Sequence, residues 1–202
     1  PAALPGGFAG VDIFFVISGY LISRIVLGDL KKGRFTFADF YSRRVRRIFP
    51  ALVLVLAFTL VCGWYVLLPA YFRQLGGHVA AGAAFISNIA LYRESGYFDT
   101  SADLKPLLHL WSLGIEEQYY LVWPLMLFAL RRHVHRIFWM IVALAAGSFL
   151  LNVVTTPRYP DAAFYLPAPR FWELMIGSIV AYWQVYRSAT GTVVTAATGP
   201  SR

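Results

Sequence analysis

The sequence is poor in cysteine and in charge. It has one cysteine, Cys62, which lies inside an apolar run, so no disulfide framework can form within the chain. Only 14% of its 202 residues are charged, whereas ordinary soluble domains carry about 25%. Together with 58% hydrophobic residues and a mean hydropathy of +0.59, this scarcity of charge excludes a typical soluble domain. The composition instead favours a protein embedded in a lipid bilayer.

The charges that are present are unevenly distributed. The formal net charge is +8, and most of the excess falls in two predicted connections between apolar stretches: Lys31, Lys32, Arg34, Arg43, Arg44, Arg46 and Arg47 in the first, and Arg131, Arg132 and Arg136 in the second. Such clusters between membrane spans usually mark the cytoplasmic side. A role in binding lipid headgroups or phosphate is an alternative. We expect no nucleic-acid partner, because the remaining chain offers no soluble surface.

Six apolar stretches predict an all-α fold, a polytopic transmembrane helix bundle with about six membrane segments. They cover residues 11–28, 48–68, 76–92, 115–130, 137–154 and 171–186. If both basic connections lie in the cytoplasm, either the third or the fourth segment cannot cross completely. We therefore expect a re-entrant element between Gly76 and Trp123, buried in protein or lining water.

The most informative stretch reads PLLHLWSLGIEEQYYLVWP and starts at Pro106. If it is helical, His109, Ser112, Glu116 and Tyr120 share one helix face. Ionisable groups next to hydrocarbon are costly and by default mark a functional site. This face would bring a titratable base, a hydroxyl, a carboxylate and a phenol to one point.

A structural interpretation of the same stretch is also open. Ser112 would be the N-cap of a helix, with Glu116 and Glu117 near the positive end of the helix dipole. This alternative leaves His109 and Trp111 unexplained.

Two further stretches allow both a functional and a structural interpretation. The sequence FYSRRVRRIFPAL carries four arginines, whose planar guanidinium groups bind phosphate at two points; a topogenic charge cluster is equally compatible. In PAPRFWEL, Arg170 and Glu173 predict either an intrahelical ion pair or a substrate contact.

The glycines and histidines favour structural roles. In GGFAGVDIFFVISGYLIS, the glycines predict a turn before a span, and Ser18-Gly19 permits either close helix packing or a kink. We interpret His78, His133 and His135 as isolated, because no pair has metal-ligand spacing with carboxylate support. No metal site is expected.

Together these four stretches resemble the family-3 membrane acyltransferases of bacteria, in family order from residue 6 to about 183. In that family a span with a histidine held to be essential precedes the first motif. We therefore expect residues 1–187 to form a partial acyltransferase-3 membrane domain without the first span and the C-terminal spans. Residues 188–202 would be a disordered or truncated tail. Such a fragment should be inactive alone.

The resemblance implies a multi-pass protein of the bacterial inner membrane that transfers an acyl group, expected to be acetyl, from acyl-CoA. The acceptor would be a hydroxyl of a surface carbohydrate such as lipopolysaccharide O-antigen or exopolysaccharide, and no cofactor would be bound. The upstream histidine would be the base, and Glu116 would orient either that histidine or a sugar hydroxyl. Tyr120 or Arg46 would stabilise the developing negative charge. An alternative is a transporter or flippase for a lipid-linked anion, and another is a non-catalytic scaffold. The oligomeric state is not indicated.

The motifs give three candidate sets of residues. The catalytic set is His109, Glu116, Glu117 and Tyr120. The donor-binding set is Arg44, Arg46, Ser18 and Tyr20, and the substrate-binding set is Trp111, Arg170 and Glu173. Gly114 stands where the family usually has a small polar residue.

Overall fold

The computed structural model of the chain describes residues 9–96 and 105–186, and every regular element in these ranges is a helix. The all-α prediction is therefore confirmed for the described residues. The helices are α1 (Ala9–Lys31), α2 (Phe37–Val66), α3 (Pro69–Ala83), α4 (Ser87–Glu94), α5 (Leu110–Ala129), α6 (Val134–Thr155), α7 (Pro160–Tyr165) and α8 (Phe171–Tyr186).

Three of these helices, α1, α2 and α6, are long and apolar enough to cross a bilayer. Large apolar side chains cover the outside of α2; Leu54 and Phe58, for example, are 70% and 68% exposed. Exposed apolar surface of this extent is expected where a helix faces lipid rather than water. The chain is thus an α-helical membrane protein, and the prediction of six segments goes beyond these three candidates.

The first basic cluster lies on a helix rather than in a connection. Helix α2 begins at Phe37, and the side chain of Thr36 caps it by accepting a hydrogen bond from the backbone N–H of Asp39 at 3.3 Å. The four arginines of residues 43–47 therefore lie in the second and third turns of α2. The prediction that they belong to an inter-helix connection is wrong, because the polar residues that precede the apolar run continue the same helix.

The predicted third segment, residues 76–92, is not one continuous helix. Helix α3 ends at Ala83 and α4 begins at Ser87. Between them the backbone N–H groups of Phe85 and Ile86 bond back to carbonyls of the last turn of α3, at 3.1 and 2.9 Å. This is the hydrogen-bond pattern of a Schellman cap, in which glycine usually takes the left-handed position. Here Phe85 takes it, with φ of 56°.

The chain divides into two compact units. The first, the α1–α8 unit, also contains the chain from Pro124 to Gly147. The second, the cavity unit, consists of residues 36–123 and 148–170 and includes α2, α3, α4, α7 and most of α5.

In the α1–α8 unit, small residues bring the two helices into very close contact. A Cβ atom added to Gly19 or to Gly177 would stand 2.0 Å from a backbone carbonyl oxygen of the facing helix. Ser23 donates a hydrogen bond to Ser178 across the interface at 2.7 Å, and both side chains are completely buried. The predicted close packing at Ser18-Gly19 is therefore confirmed, and it is the type of helix contact that small residues permit in bilayers.

Candidate functional site

The cavity unit contains a cavity of about 340 Å³. Its walls are the arginine-bearing turns of α2, the break between α3 and α4, and the middle of α5. The apolar lining residues are Val45, Ile48, Phe49, Ala84, Phe85, Ile86 and Leu121, and the polar ones are Tyr41, Arg44, Glu117, Gln118 and Tyr120. A mostly apolar cavity with a few convergent polar groups is the usual form of a small-molecule site.

Arg44 is the central polar group of this cavity. Its Nη2 lies 3.0 Å from Oε1 of Glu117, and its guanidinium lies 3.7 Å from the centre of the Tyr120 ring. The side chains of Arg44 and Glu117 are only 18% and 15% exposed. In such a partly desolvated setting, an ion pair and a cation–π contact both hold a guanidinium in one orientation.

One donor of Arg44 has no partner. The Nε atom is buried and makes no hydrogen bond to any residue in the two described ranges. A buried N–H without an acceptor is uncommon and costs about 1–3 kcal/mol. Arg44 lines the cavity, but its Nε is shielded from it, so a bound molecule reaches this donor only if the Arg44 side chain shifts.

Tyr120 links Arg44 to a second carboxylate. Its hydroxyl donates a hydrogen bond to Oε1 of Glu116 at 3.1 Å, within α5 and at the predicted spacing of four residues. Glu116 is 4% exposed and is not part of the cavity lining. Glu117, Arg44, Tyr120 and Glu116 therefore form one chain of contacts.

His109 does not join this group. Helix α5 begins at Leu110, so His109 lies in the preceding turn, where it is exposed. Ser112 donates its hydroxyl hydrogen bond to the backbone oxygen of His109 at 3.2 Å. Ser112, Glu116 and Tyr120 therefore share one face of α5 as predicted, whereas His109 precedes the helix and its predicted place on that face is wrong. The alternative with Ser112 as N-cap is also wrong, because the helix begins two residues earlier.

The two arginines of the Arg-x-Arg element have different environments. Arg44 lies in the cavity wall, whereas Arg46 is exposed. Residues two positions apart point about 200° apart around a helix, so the two side chains cannot share one face. Arg43 and Arg47 are exposed as well, on the same side of α2 as Arg46.

Trp111 and Arg170 also come together in the cavity unit. Trp111 is 7% exposed and its ring packs against that of Phe164, with centroids 4.5 Å apart. The Arg170 guanidinium lies 5.6 Å from the Trp111 ring and 5.0 Å from the Phe164 ring, and Nε donates to the Phe164 carbonyl at 3.4 Å. Arg170 precedes α8 and is held by aromatic rings.

The remaining predicted residues belong to the α1–α8 unit. Ser18 and Glu173 are buried, with 7% and 2% exposure. The Tyr20 hydroxyl donates to the side-chain oxygen of Gln184 and accepts from Arg24 at 3.4 Å. Their assignments to donor and substrate stay predictions.

His78, Glu94 and Lys105 form a partly buried polar cluster that the sequence does not predict. The prediction that His78 is isolated is wrong. Its Nε2 lies 2.9 and 2.8 Å from the two carboxylate oxygens of Glu94. Lys105 Nζ lies 3.4 Å from the same carboxylate, and the side chains of His78 and Lys105 are 6% and 3% exposed. Only the presence of polar residues in an apolar segment indicated this cluster, because its members come from separate elements. Within the described ranges, no three histidine, cysteine or carboxylate side chains are grouped as they would be around a metal ion.

An amide network was also missed. Gln118 Nε2 donates to Oδ1 of Asn88 at 2.9 Å and to the carbonyl of Phe85 at 3.0 Å, while Asn88 Nδ2 donates to the Tyr165 carbonyl at 3.1 Å. A Cβ atom on Gly114 would stand 2.8 Å from Asn88 Oδ1. The absence of the expected polar side chain at position 114 therefore leaves space for this network.

Comparison with known proteins gives matches along nearly the whole chain. The model of a family described as an acyltransferase domain matches residues 3–198. An uncharacterised protein of Haemophilus influenzae is 34% identical over 185 residues, which cover 86% of this chain and 74% of that protein. No protein of solved structure matches the chain.

Two further relatives have named activities. Peptidoglycan O-acetyltransferase OatA of Listeria monocytogenes is 34% identical over 88% of this chain, and O-acetyltransferase OatA of Staphylococcus aureus is 32% identical over 89%. The matched regions cover 29% and 30% of those two proteins. The chain thus spans less than a third of the length of these relatives.

Proposed function

This chain belongs to the acyltransferase-3 family of membrane acyltransferases, and on that basis we propose that the protein is an O-acetyltransferase of the cell envelope. The donor is acetyl-CoA, and the acceptor is a hydroxyl group of an envelope glycan. Peptidoglycan is the first acceptor to test, because relatives of this chain are named for it. Lipopolysaccharide O-antigen and exopolysaccharide present the same chemical group. Family membership favours group transfer over the transport of a lipid-linked anion.

The Arg44 guanidinium, held in the cavity wall by Glu117 and Tyr120, carries this proposal. Attack of a hydroxyl on a thioester places negative charge on the carbonyl oxygen, and a fixed donor at that position stabilises the transition state. Glu117 and Tyr120 fix the Arg44 guanidinium before substrate arrives. Arg44 is therefore assigned to the reacting carbonyl rather than to the phosphates of the donor.

Glu117 is the carboxylate of the cavity, and we assign the proton transfer to it in place of the upstream histidine that the family resemblance implies. The acceptor oxygen forms a bond to the thioester carbon while its proton moves to the Glu117 carboxylate. The carbon–sulfur bond then breaks, and the departing thiolate takes that proton to give free CoA thiol. Glu116 fixes Tyr120 through the hydroxyl hydrogen bond and acts as a positioning residue.

The exposed arginines of α2 are assigned to the CoA phosphates. Arg46, with Arg43 and Arg47, presents a positively charged face close to the arginine-bearing wall of the cavity. Arginine binds phosphate oxygens at two points, which lysine cannot do.

A direct assay tests the proposal. Membranes containing the full-length natural protein are incubated with radiolabelled acetyl-CoA and each of the three glycans, and label in the glycan is counted. We expect transfer to one of these acceptors and none in membranes carrying Glu117→Gln at the same protein level. Label that stays in CoA with all three acceptors would refute the proposed acetyl transfer. Full activity of the Gln variant would remove Glu117 from the proton transfer.

We also propose that the chain makes six membrane segments and that a re-entrant element lies between Gly76 and Trp123. Supporting this, the helix breaks at residues 84–86 inside the apolar stretch, and the break is buttressed by protein amides. Single cysteines placed along residues 70–130 of a Cys62→Ser background would be labelled from each side of the membrane. If one of the two segments in this region is re-entrant, the region makes one net crossing, so positions near residues 70 and 130 are labelled from opposite sides of the membrane. Labelling of both positions from the same side, with residues 93–114 labelled from the other side, means two complete crossings and contradicts the proposal.

A further inference from the structure

We propose that Phe85 limits the length of the acyl chain that the protein transfers, because its ring forms a fixed part of the apolar cavity wall. This inference rests on the proposed acyl transfer and adds the residue that determines selectivity for the donor. It concerns the part of the cavity wall formed by the break between α3 and α4, which the mechanism above leaves without a role.

The backbone of Phe85 has an unusual conformation. With φ of 56° it is the one non-glycine residue with positive φ in the described ranges. Bulky residues rarely take this conformation, and those that do are concentrated at ligand sites and switches. A glycine would serve better if the only task were to end α3.

Contacts from two other helices fix this conformation. Gln118 of α5 donates to the Phe85 carbonyl at 3.0 Å, and the absence of a side chain at Gly114 allows that carbonyl to approach α5. The ring of Phe49 on α2 packs edge-on against the Phe85 ring, with centroids 5.8 Å apart. These contacts hold the Phe85 backbone and ring in one position.

The distribution of polar and apolar groups tells how an acyl group would bind. Arg44, Glu117 and Tyr120 supply the polar contacts of the cavity, and the break from Ala84 to Ile86 supplies apolar ones. A thioester carbonyl that accepts a hydrogen bond from Arg44 must place its alkyl chain against apolar wall, where Phe49 and Phe85 lie. In an apolar pocket, each methylene that does not fit changes selectivity by roughly 10- to 200-fold.

The test measures kcat/KM for acetyl-, butyryl- and hexanoyl-CoA in membranes with the natural protein and with Phe85→Gly. Glycine suits the positive φ, so the change removes the ring without imposing a new backbone demand. We expect the natural protein to prefer acetyl-CoA, and the hexanoyl-to-acetyl ratio to rise by at least about 10-fold in the variant. Phe58→Ala, which removes a ring from the outer face of α2, should leave the ratio unchanged.

A second variant covers the case in which Phe85→Gly does not accumulate in membranes. Phe49→Ala removes the neighbouring ring from the same wall and leaves the break untouched, so it should shift the ratio in the same direction. An unchanged ratio in both accumulated variants overturns the inference, and so does equal use of hexanoyl-CoA by the natural protein. These results differ from failure of the proposed function, in which the natural protein transfers no acyl group from any donor.

Discussion

Replacing Arg44 by lysine separates two possible roles of this residue. Lysine keeps the positive charge but lacks the planar group that lies 3.7 Å from the Tyr120 ring while bonding Glu117 at 3.0 Å. It also removes the buried Nε donor. If Arg44 stabilises the transition state, the loss of one such donor costs about 2.7–4 kcal/mol and lowers kcat by roughly 100- to 1,000-fold.

The division of the effect between kcat and KM identifies the role. An interaction made only in the transition state lowers kcat and kcat/KM together, whereas loss of a phosphate contact raises KM for acetyl-CoA and leaves kcat unchanged. We expect the first pattern for Arg44→Lys and the second for Arg46→Lys, since Arg46 is exposed and lies outside the cavity lining. The measurement is initial-rate transfer from labelled acetyl-CoA in membranes matched for protein content. A kcat within a factor of three of the natural protein for Arg44→Lys would refute the assignment.

Two predictions concern stability. Gly19→Ala and Gly177→Ala should each destabilise the protein by about 1–3 kcal/mol, because the added methyl group overpacks the α1–α8 interface. Thermal unfolding in detergent measures this loss. The matched control is Gly28→Ala, because a methyl group at Gly28 meets no other atom within 4 Å. Equal unfolding temperatures for all three variants would contradict the close contact. Glu94→Ala should lower the free energy of unfolding by about 3 kcal/mol, because it removes the acceptor shared by buried His78 and Lys105. Arg93 is adjacent and exposed, so Arg93→Gln is the control and should have little effect. The same detergent unfolding assay applies, and a loss below about 0.5 kcal/mol would mean that the cluster is not energetically coupled.

The sequence predicts most of the helical architecture because apolar run length is a strong local signal. The last predicted segment, residues 171–186, matches α8, and the fifth differs from α6 by three residues at its start and one at its end. The first two segments were predicted too short, because polar ends of a long helix do not differ in composition from a connection. The break at Phe85 was missed since the usual signal of such a cap is glycine, and here a phenylalanine occupies the position.

The site was predictable where its members lie on one helix and only partly where they do not. Glu116 and Tyr120 are four residues apart and contact each other as expected. Arg44 and Glu117 are 73 positions apart, so no local spacing in the sequence predicts that they pair. The same reason explains why Glu94 was not recognised as the partner of His78, and why Gln118 was not linked to Asn88.

The contact between α1 and α8 has a consequence for assembly during translation. Ser23 and its partner Ser178 are separated by 155 positions, so α1 enters the bilayer well before α8 exists. At roughly 5–20 residues per second, the delay is on the order of ten seconds. During that interval the glycine and serine face of α1 has no α8 to cover it, and α1 must remain inserted by virtue of its other apolar side chains. The last step is then the packing of α8 against α1, so substitutions in the contact between these two helices should change the yield of assembled protein more than the insertion of α1.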